Sequence, residues 1–597
     1  MRDAVVRARL VVGVSWRAHR DLSRRLLVLY PTNRGLAIGS AVGLKLIVNA
    51  VLQGQDTRAL GYCVLLAAMH GIVLAGRRLQ HRASMASTEL LRQEFDRELV
   101  ELTSGMPGIR HYEQKEFLDD LEMIRNRPQV LGNAFVTLSS LVFACLELLV
   151  VVAILITVHP LLGLLPVLAV PLVLARTRAQ LSMAEVWTVG APLSRQTRHF
   201  FTLMTSADAA KEIRVCQQSQ DLIRRHDQVS RDYEALMAKA ERHIQLVAAT
   251  GWLSSGLLYG ASVFFVVHQA VNGRASVGDV LLTLALAGLV TNTATATMEQ
   301  LSRYQQADDL VKRLMRLRQH AAEDHATGTP LDPRPVPARL VEGIRLEGVS
   351  FRYSGSDREA LADLTLHLPA GHVVAVVGDN GAGKTTLVSL LTRLYEPTTG
   401  RITVDGTALR SFDIAAWRAR LSGAFQDFAR FELVAQQAIG VGDLSRLDSS
   451  DAVTTALARA GAEGVLESLP EGLSSRLGSS FEDGVQLSGG QWQKLALGRA
   501  LVLDGPLLLV LDEPTANLDP LAELALHERY AATAREWAAA TGTVTLLVSH
   551  RFSTVRTADL IVVMRQGRLV EHGSHEQLMA RRGLYAELYD LQARGYR

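Results

Sequence analysis

At 597 residues the chain is longer than one hydrophobic core can serve, so two or more domains are expected. A net charge of +3 gives no bulk electrostatic case for nucleic-acid binding. Three scattered cysteines, Cys63, Cys145 and Cys216, show no CxxC or metal-ligand spacing, so neither a disulfide framework nor a zinc site is indicated. The 48% hydrophobic content is spread unevenly, with long apolar runs in the first half and a soluble-looking second half.

The first 34 residues include RARLVVGVSWRAHRDLSRRLL, basic with interleaved apolar positions, as expected of a helix lying on the cytoplasmic face of a membrane. Six spans are then predicted, at 35–53, 60–76, 132–158, 161–176, 244–268 and 277–297, within a membrane domain of 35–320. A span needs about 20 apolar residues. The 132–158 run meets that best, 60–76 and 161–176 are short, and 277–297 is rich in threonine. Arg77, Arg78, Arg176, Arg178, Arg242 and Arg303 all flank ends that one topology puts on the cytoplasmic side. Several spans follow the first and no small-residue cleavage site is evident, so a signal peptide is not expected.

Two polar connections, 77–131 and 177–243, carry charged and apolar residues at helical spacing. They are predicted to be helices that extend well past the membrane. LTSGMPGIRHYEQKEF interrupts the first as a turn able to touch a soluble domain. Lys45, His70 and Glu147 lie inside apolar runs, where charge is expensive. Either Lys45 and Glu147 neutralise each other (or the lysine snorkels), or one or more of the three face a cargo path.

Residues 321–342 form a linker whose Pro330, Pro333, Pro335 and Pro337 cannot continue a helix. A soluble domain, 343–597, then opens on the alternating strand pattern IRLEGVSFRY. In HVVAVVGDNGAGKTTLVSLL a β-branched strand meets a glycine loop and a helix. Gly378, Gly383, Lys384 and Thr385 satisfy GxxxxGK[ST] in that setting. The glycines let backbone N–H groups wrap phosphates, Lys384 supplies a point charge, and Thr385 offers a hydroxyl to Mg2+. LLLVLDEP ends an apolar strand in two carboxylates, Asp512 to hold the Mg2+ shell and Glu513 to polarise an attacking water. Further on, QLSGGQWQKLALGRA sets a hydroxyl and two glycines at a helix start, an arrangement suited to an anion.

Together these stretches resemble the ABC transporter ATPase family across the whole second half. The signature loop resembles Leu487, Ser488, Gly489, Gly490 and Gln491, the Q-loop Gln426 in GAFQDF, the D-loop Asp519 in ANLDP, and the switch histidine His550 in LLVSHR. The resemblance implies that Tyr353 stacks on adenine and that Asn380, Gly381 and Thr386 join the phosphate loop. It also implies that Gln426 touches Mg2+ beside Thr385 and Asp512, and that His550 meets the γ-phosphate.

Six spans before one such domain resemble an exporter-type half-transporter: an all-α membrane domain followed by an α/β P-loop ATPase domain, located in the cell membrane. The resemblance implies ATP and Mg2+ as cofactors, and two ATP molecules shared between paired ATPase domains. Both catalytic motifs are intact, so a homodimer is favoured, with a heterodimer open. Trp492 after the signature, AFQDFARFEL, GSSFEDGVQLSGGQ and RHYEQKEFLDDLEMIRNR resemble bacterial exporters of lantibiotics and other modified peptides. About 34 residues precede the first span and the first cysteine is Cys63, so no leader-cleaving protease domain is expected. AQQAIGVGD departs from the ENI-type sequence usual after the Q-loop. The expected function is ATP-driven export of a peptide or other amphipathic compound, with membrane lipid and the second half-transporter as partners. A lipid or multidrug exporter, a siderophore importer and an ATP-gated membrane protein are the alternatives.

Overall fold

Apolar runs bounded by charge become long helices, because within hydrocarbon a lone segment satisfies its backbone only as a helix. The computed structural model describes residues 2–168, 170–207, 209–330, 332–513, 520–549 and 551–595. The chain divides into two units, Met1–Glu101 with Asp120–Arg316, and Leu102–Asp119 with Leu317–Arg597.

In the first unit the helices Arg20–Leu52, Asp56–Ser104, Ala134–Val158, Ser219–Val271 and Val277–Gly328 contain windows long and apolar enough to cross a membrane. Over the expected span at 161–176 the described residues form the 3-10 turn Pro160–Leu164, the helix Leu165–Leu168 and the start of the helix Val170–Thr205, and residue 169 lies outside them. Pro160 lacks an N–H and opens the 3-10 turn, a position where no N–H partner is lost. The basic N-terminal segment is also more than one surface helix. Arg2–Ala18 ends before His19, and a second helix runs from Arg20 into the first span.

The apolar core of this unit is small. Ile38, Val151, Leu155, Val266, Leu282 and Leu286 bring the first, third, fourth and fifth of these helices together. Leu149, Leu257 and Phe264 point outward and are largely exposed, as side chains facing lipid or another subunit would be. Polar ties add specificity. Lys45 and Glu147 do not neutralise each other: Lys45 pairs with Asp279, and buried Glu147 pairs with Arg34 and accepts from Thr293. Each charge has found a nearer opposite charge on a neighbouring helix. His70 is exposed. A Cβ on Gly278 would meet the carbonyl oxygen of Lys45 at 2.7 Å, so this glycine lets two helices approach closely.

In the second unit ten described strands form two sheets. β1 (Gly343–Phe351), β2 (Leu361–Pro369), β4 (Thr399–Val404) and β5 (Thr407–Ala408) pair antiparallel in the order β2-β1-β4-β5. The other sheet has the order β10-β9-β3-β8-β7-β6. Its strands β3 (Val373–Gly378), β6 (Leu421–Ala424), β7 (Leu508–Asp512), β8 (Val544–Val548) and β9 (Leu560–Arg565) pair parallel, and β10 (Arg568–Gly573) is antiparallel to β9. The central strands β7 and β8 are buried throughout, which explains their unbroken apolar sequence. Trp417 anchors one core, fully buried against Phe412, with its indole N–H donating to the carbonyl of Leu391 at 3.0 Å. A second core gathers helices around Trp492, Leu495 and Trp537.

The Leu102–Asp119 segment belongs to this unit. Its 3-10 turn, Arg110–Glu113, is tied down at several points: Gly108 N–H donates to Asp324, Ile109 N–H to the Leu394 carbonyl, and Arg110 to Ser354.

Candidate nucleotide site

The site grows from the end of β3. Gly378 has φ +155 and Gly383 φ +99, and a Cβ on either would strike a carbonyl oxygen, of Met564 at 2.1 Å and of Ala360 at 2.7 Å. Only glycine allows that turn. Gly383 then caps the helix Lys384–Leu391, whose first N–H groups face the loop. Lys384 bends back, its ammonium donating to the carbonyls of Gly378 at 2.8 Å and Asp379 at 3.1 Å. Burial lowers its pKa, while the Glu513 and Asp512 carboxylates oppose that shift.

Asp512 ends β7 and is buried. Burial, with the neighbouring Glu513 charge, pushes its carboxyl up to about 6 although Lys384 pulls it down. Such a carboxylate is short of positive charge, so this donor set suits a hard cation such as Mg2+. Glu513 follows with φ +48, a left-handed conformation uncommon for a residue with a side chain, and its N–H donates to Val548 O at 2.9 Å. The strand therefore breaks at Glu513. Alternation of faces ends there, and two successive carboxylates reach one site.

A cavity of 760 Å³ collects these groups. Gly378, Asn380, Gly381, Gly383, Lys384, Thr385 and Thr386 line it together with Tyr353, Gln426, Asp512 and Glu513. Leu588 and Gln592, from the helix Leu584–Gly595, also line it. No motif signals them, because only the tertiary fold carries that C-terminal helix to the loop. Asp519 and His550 lie outside the described residues.

The signature residues Ser488, Gly489, Gly490 and Gln491 do not line this cavity. Ser488 is the N-cap of the helix Gly489–Ala500. Its hydroxyl accepts from Gln491 N–H at 3.2 Å, and the Gln491 side chain accepts from Ser488 N–H at 2.9 Å. A serine with a glutamine three residues on is a capping box, a second meaning of the same letters. A Cβ on Gly489 or Gly490 would meet nothing within 4 Å, so crowding within this chain does not require either glycine. The AQQAIG part of the departing stretch forms the helix Ala435–Gly440, and Arg499 of the signature helix donates to its Ala438 carbonyl at 3.0 Å.

The arrangement combines a glycine-built backbone loop at a helix start, a lysine, a buried carboxylate and a second carboxylate beside it. Residues 361–516 match the family profile described as ABC transporter. A bacterial Atm1-family ABC exporter solved with ATP bound superposes with TM-score 0.75 over 96% of this chain and 99% of that one, at 23% identity. The chain has the fold of an ABC exporter. Among curated relatives, the ATP-dependent lipid A-core flippase of Ralstonia nicotianae is 40% identical over 44% of this chain and 44% of that protein. The flippase of Pseudomonas fluorescens is 34% identical over 56% and 55%. The chain thus spans about half the length of the curated relatives it matches. With five described helices long and apolar enough to cross a membrane, and the fold of an ABC exporter, this is a multi-pass membrane protein.

Proposed function

We propose that this chain is a half-transporter that hydrolyses ATP to export an amphipathic lipid, working in a pair with a second half. One observation carries the reading: Lys384, Asp512 and Glu513 converge on one cavity in a chain whose described residues include five apolar helices of membrane-spanning length. The names of the relatives support a lipid over a modified peptide. Trp492, which first suggested a peptide, is buried in the core between helices, so packing alone explains it. The segment around 161–176 serves as the sixth span in this reading.

In the proposed site, ATP lies in the 760 Å³ cavity with its phosphates on the 378–386 loop and its base on Tyr353. Thr385, Gln426 and Asp512 would hold Mg2+, which when bound neutralises charge on the β- and γ-phosphates. Glu513 takes the proton of the water that attacks the γ-phosphorus as the bond to ADP breaks. His550 and Asp519 would join the site by the family resemblance, His550 toward the γ-phosphate. Ser488, Gly489, Gly490 and Gln491 close on the nucleotide of the second half, a role that would explain two glycines with open space around them. Intact Glu513 and signature residues support a homodimer with two working sites.

The test is the purified chain in vesicles with labelled anionic and zwitterionic lipids. ATP should drive lipid between leaflets, and Glu513→Gln should stop it. ATP-driven accumulation of a modified peptide with no lipid movement would overturn the lipid reading.

A further inference from the structure

Tyr353 stands between two cavities. It lines both the 760 Å³ phosphate-loop cavity and a 500 Å³ cavity bounded by Pro107, Gly108 and Arg110 of the 102–119 segment, with Tyr395. We propose that Glu113 and Tyr395 position Tyr353 for the nucleotide base, so that docking of the 102–119 segment sets how tightly the site holds its nucleotide. This rests on the reading of Tyr353 as the platform for the base.

The contacts run without a gap from the segment to the phosphate loop. Glu113 accepts a hydrogen bond from the Tyr395 hydroxyl. The Tyr395 ring meets the Tyr353 ring edge-on, with centroids 5.4 Å apart and planes at 85°. The Tyr353 hydroxyl bonds Thr386 at 3.0 Å, in the helix that follows the loop. Phe351 braces both rings, at 4.9 Å from Tyr353 and 5.2 Å from Tyr395.

Edge-to-face packing fixes ring tilt, because the positive rim of one ring seeks the negative face of another. Tyr395 is itself 8% exposed and cannot turn to water for a partner. Burial and the Glu113 carboxylate push its phenol pKa up, so it remains a donor to a charged acceptor, the stronger kind of hydrogen bond. The segment also grips each tyrosine's neighbour, through Arg110 to Ser354 at 2.8 Å and Ile109 N–H to the Leu394 carbonyl at 3.4 Å. If docking tightens nucleotide binding, nucleotide tightens docking by the same factor. Base occupancy would then reach the helix Asp56–Ser104, which ends beside this segment, by a path separate from Gln426.

The test uses the full chain in lipid nanodiscs, with ATPase rate measured against ATP concentration. Tyr395→Phe deletes only the hydroxyl, Glu113→Ala deletes the acceptor, and Glu113→Gln keeps one. Tyr395→Phe and Glu113→Ala should each raise KM for ATP by about five-fold with kcat held within about two-fold. Their combination should be no worse than either alone, and Glu113→Gln should recover most of the loss. Inorganic tripolyphosphate, which has no base, should inhibit every variant with the wild-type Ki. An unchanged KM in both single variants, or a matching shift in the tripolyphosphate Ki, would overturn the proposal. Tyr353→Ala separates it from its premise. If that variant keeps the wild-type KM, the base-platform reading fails; if it alone raises KM, only the positioning role fails.

Discussion

Arg34, at the polar edge of the first apolar run, donates to Glu147, which is buried midway along the helix Ala134–Val158. Thr293 of the helix Val277–Gly328 bonds the same carboxylate oxygen at 3.3 Å, so one buried charge joins three helices. Removing one partner strands the other. Glu147→Ala should destabilise the membrane unit by about 1–3 kcal/mol, between what buried pairs cost in water and what polar contacts contribute in lipid. The double variant Arg34→Met with Glu147→Met should recover most of that loss. Thermal unfolding in detergent reads both, and strictly additive effects would show that the two residues are not coupled.

Glu513 is held in a left-handed conformation at the end of β7, close to Lys384 and Asp512. Backbone held this way is a cost the fold retains where the side chain's aim matters. Glu513→Gln keeps the shape and removes the base. Turnover should fall by about 100-fold or more, while ATP binding to the full chain persists. Wild-type hydrolysis by this variant would remove Glu513 from the chemistry.

Ser488 caps the signature helix in a reciprocal pair with Gln491. Ser488→Arg sets a bulky cation where the second half's nucleotide would close, and it also removes the cap, at about 1 kcal/mol. Turnover should be abolished, and photolabelling of the full chain by an azido-ATP should remain near the wild-type level. Ser488→Asn keeps a capping side chain, so it should unfold at the wild-type temperature while still hydrolysing more slowly. Full turnover by Ser488→Arg would exclude a shared site.

The strand, glycine loop and helix at 373–391 were legible as a shape, because Gly378, Gly383, Lys384 and Thr385 lie within a few residues of one another and their spacing is their geometry. The strand ending in Asp512 and Glu513 was legible too, although the reason both carboxylates reach one site is a backbone angle that no letter records. The membrane unit was less readable. Apolar runs announce helices, but the pairing of Glu147 with Arg34 instead of Lys45 depends on helix rotation. Leu588 and Gln592 were invisible, since they reach the cavity from the last helix only through the folded chain.

His111 gives the docked segment a pH dependence of predictable sign. It is 6% exposed, and among the described residues neither ring nitrogen has a hydrogen-bond partner. Its neighbours are the rings of Tyr112 at 4.2 Å and Phe117 at 4.9 Å, and Phe117 in turn meets His320. Burial lowers its pKa, and the Asp324 carboxylate opposes that only in part. A freed segment would titrate near the ordinary histidine value of about 6.5. Docking is therefore fully favoured above that pH. As pH falls below it, the undocked form takes up a proton that the docked form refuses, and docking weakens until the lowered pKa is passed. The loss is at most about 1.4 kcal/mol per pH unit. Hydrogen exchange across 106–117 should accelerate, after correction for intrinsic rates, between pH 7.5 and 5.5 in the wild-type chain. His111→Phe keeps an aromatic ring without a titrating nitrogen, and should flatten that dependence. If the acceleration persists in this variant, a group other than His111 governs docking.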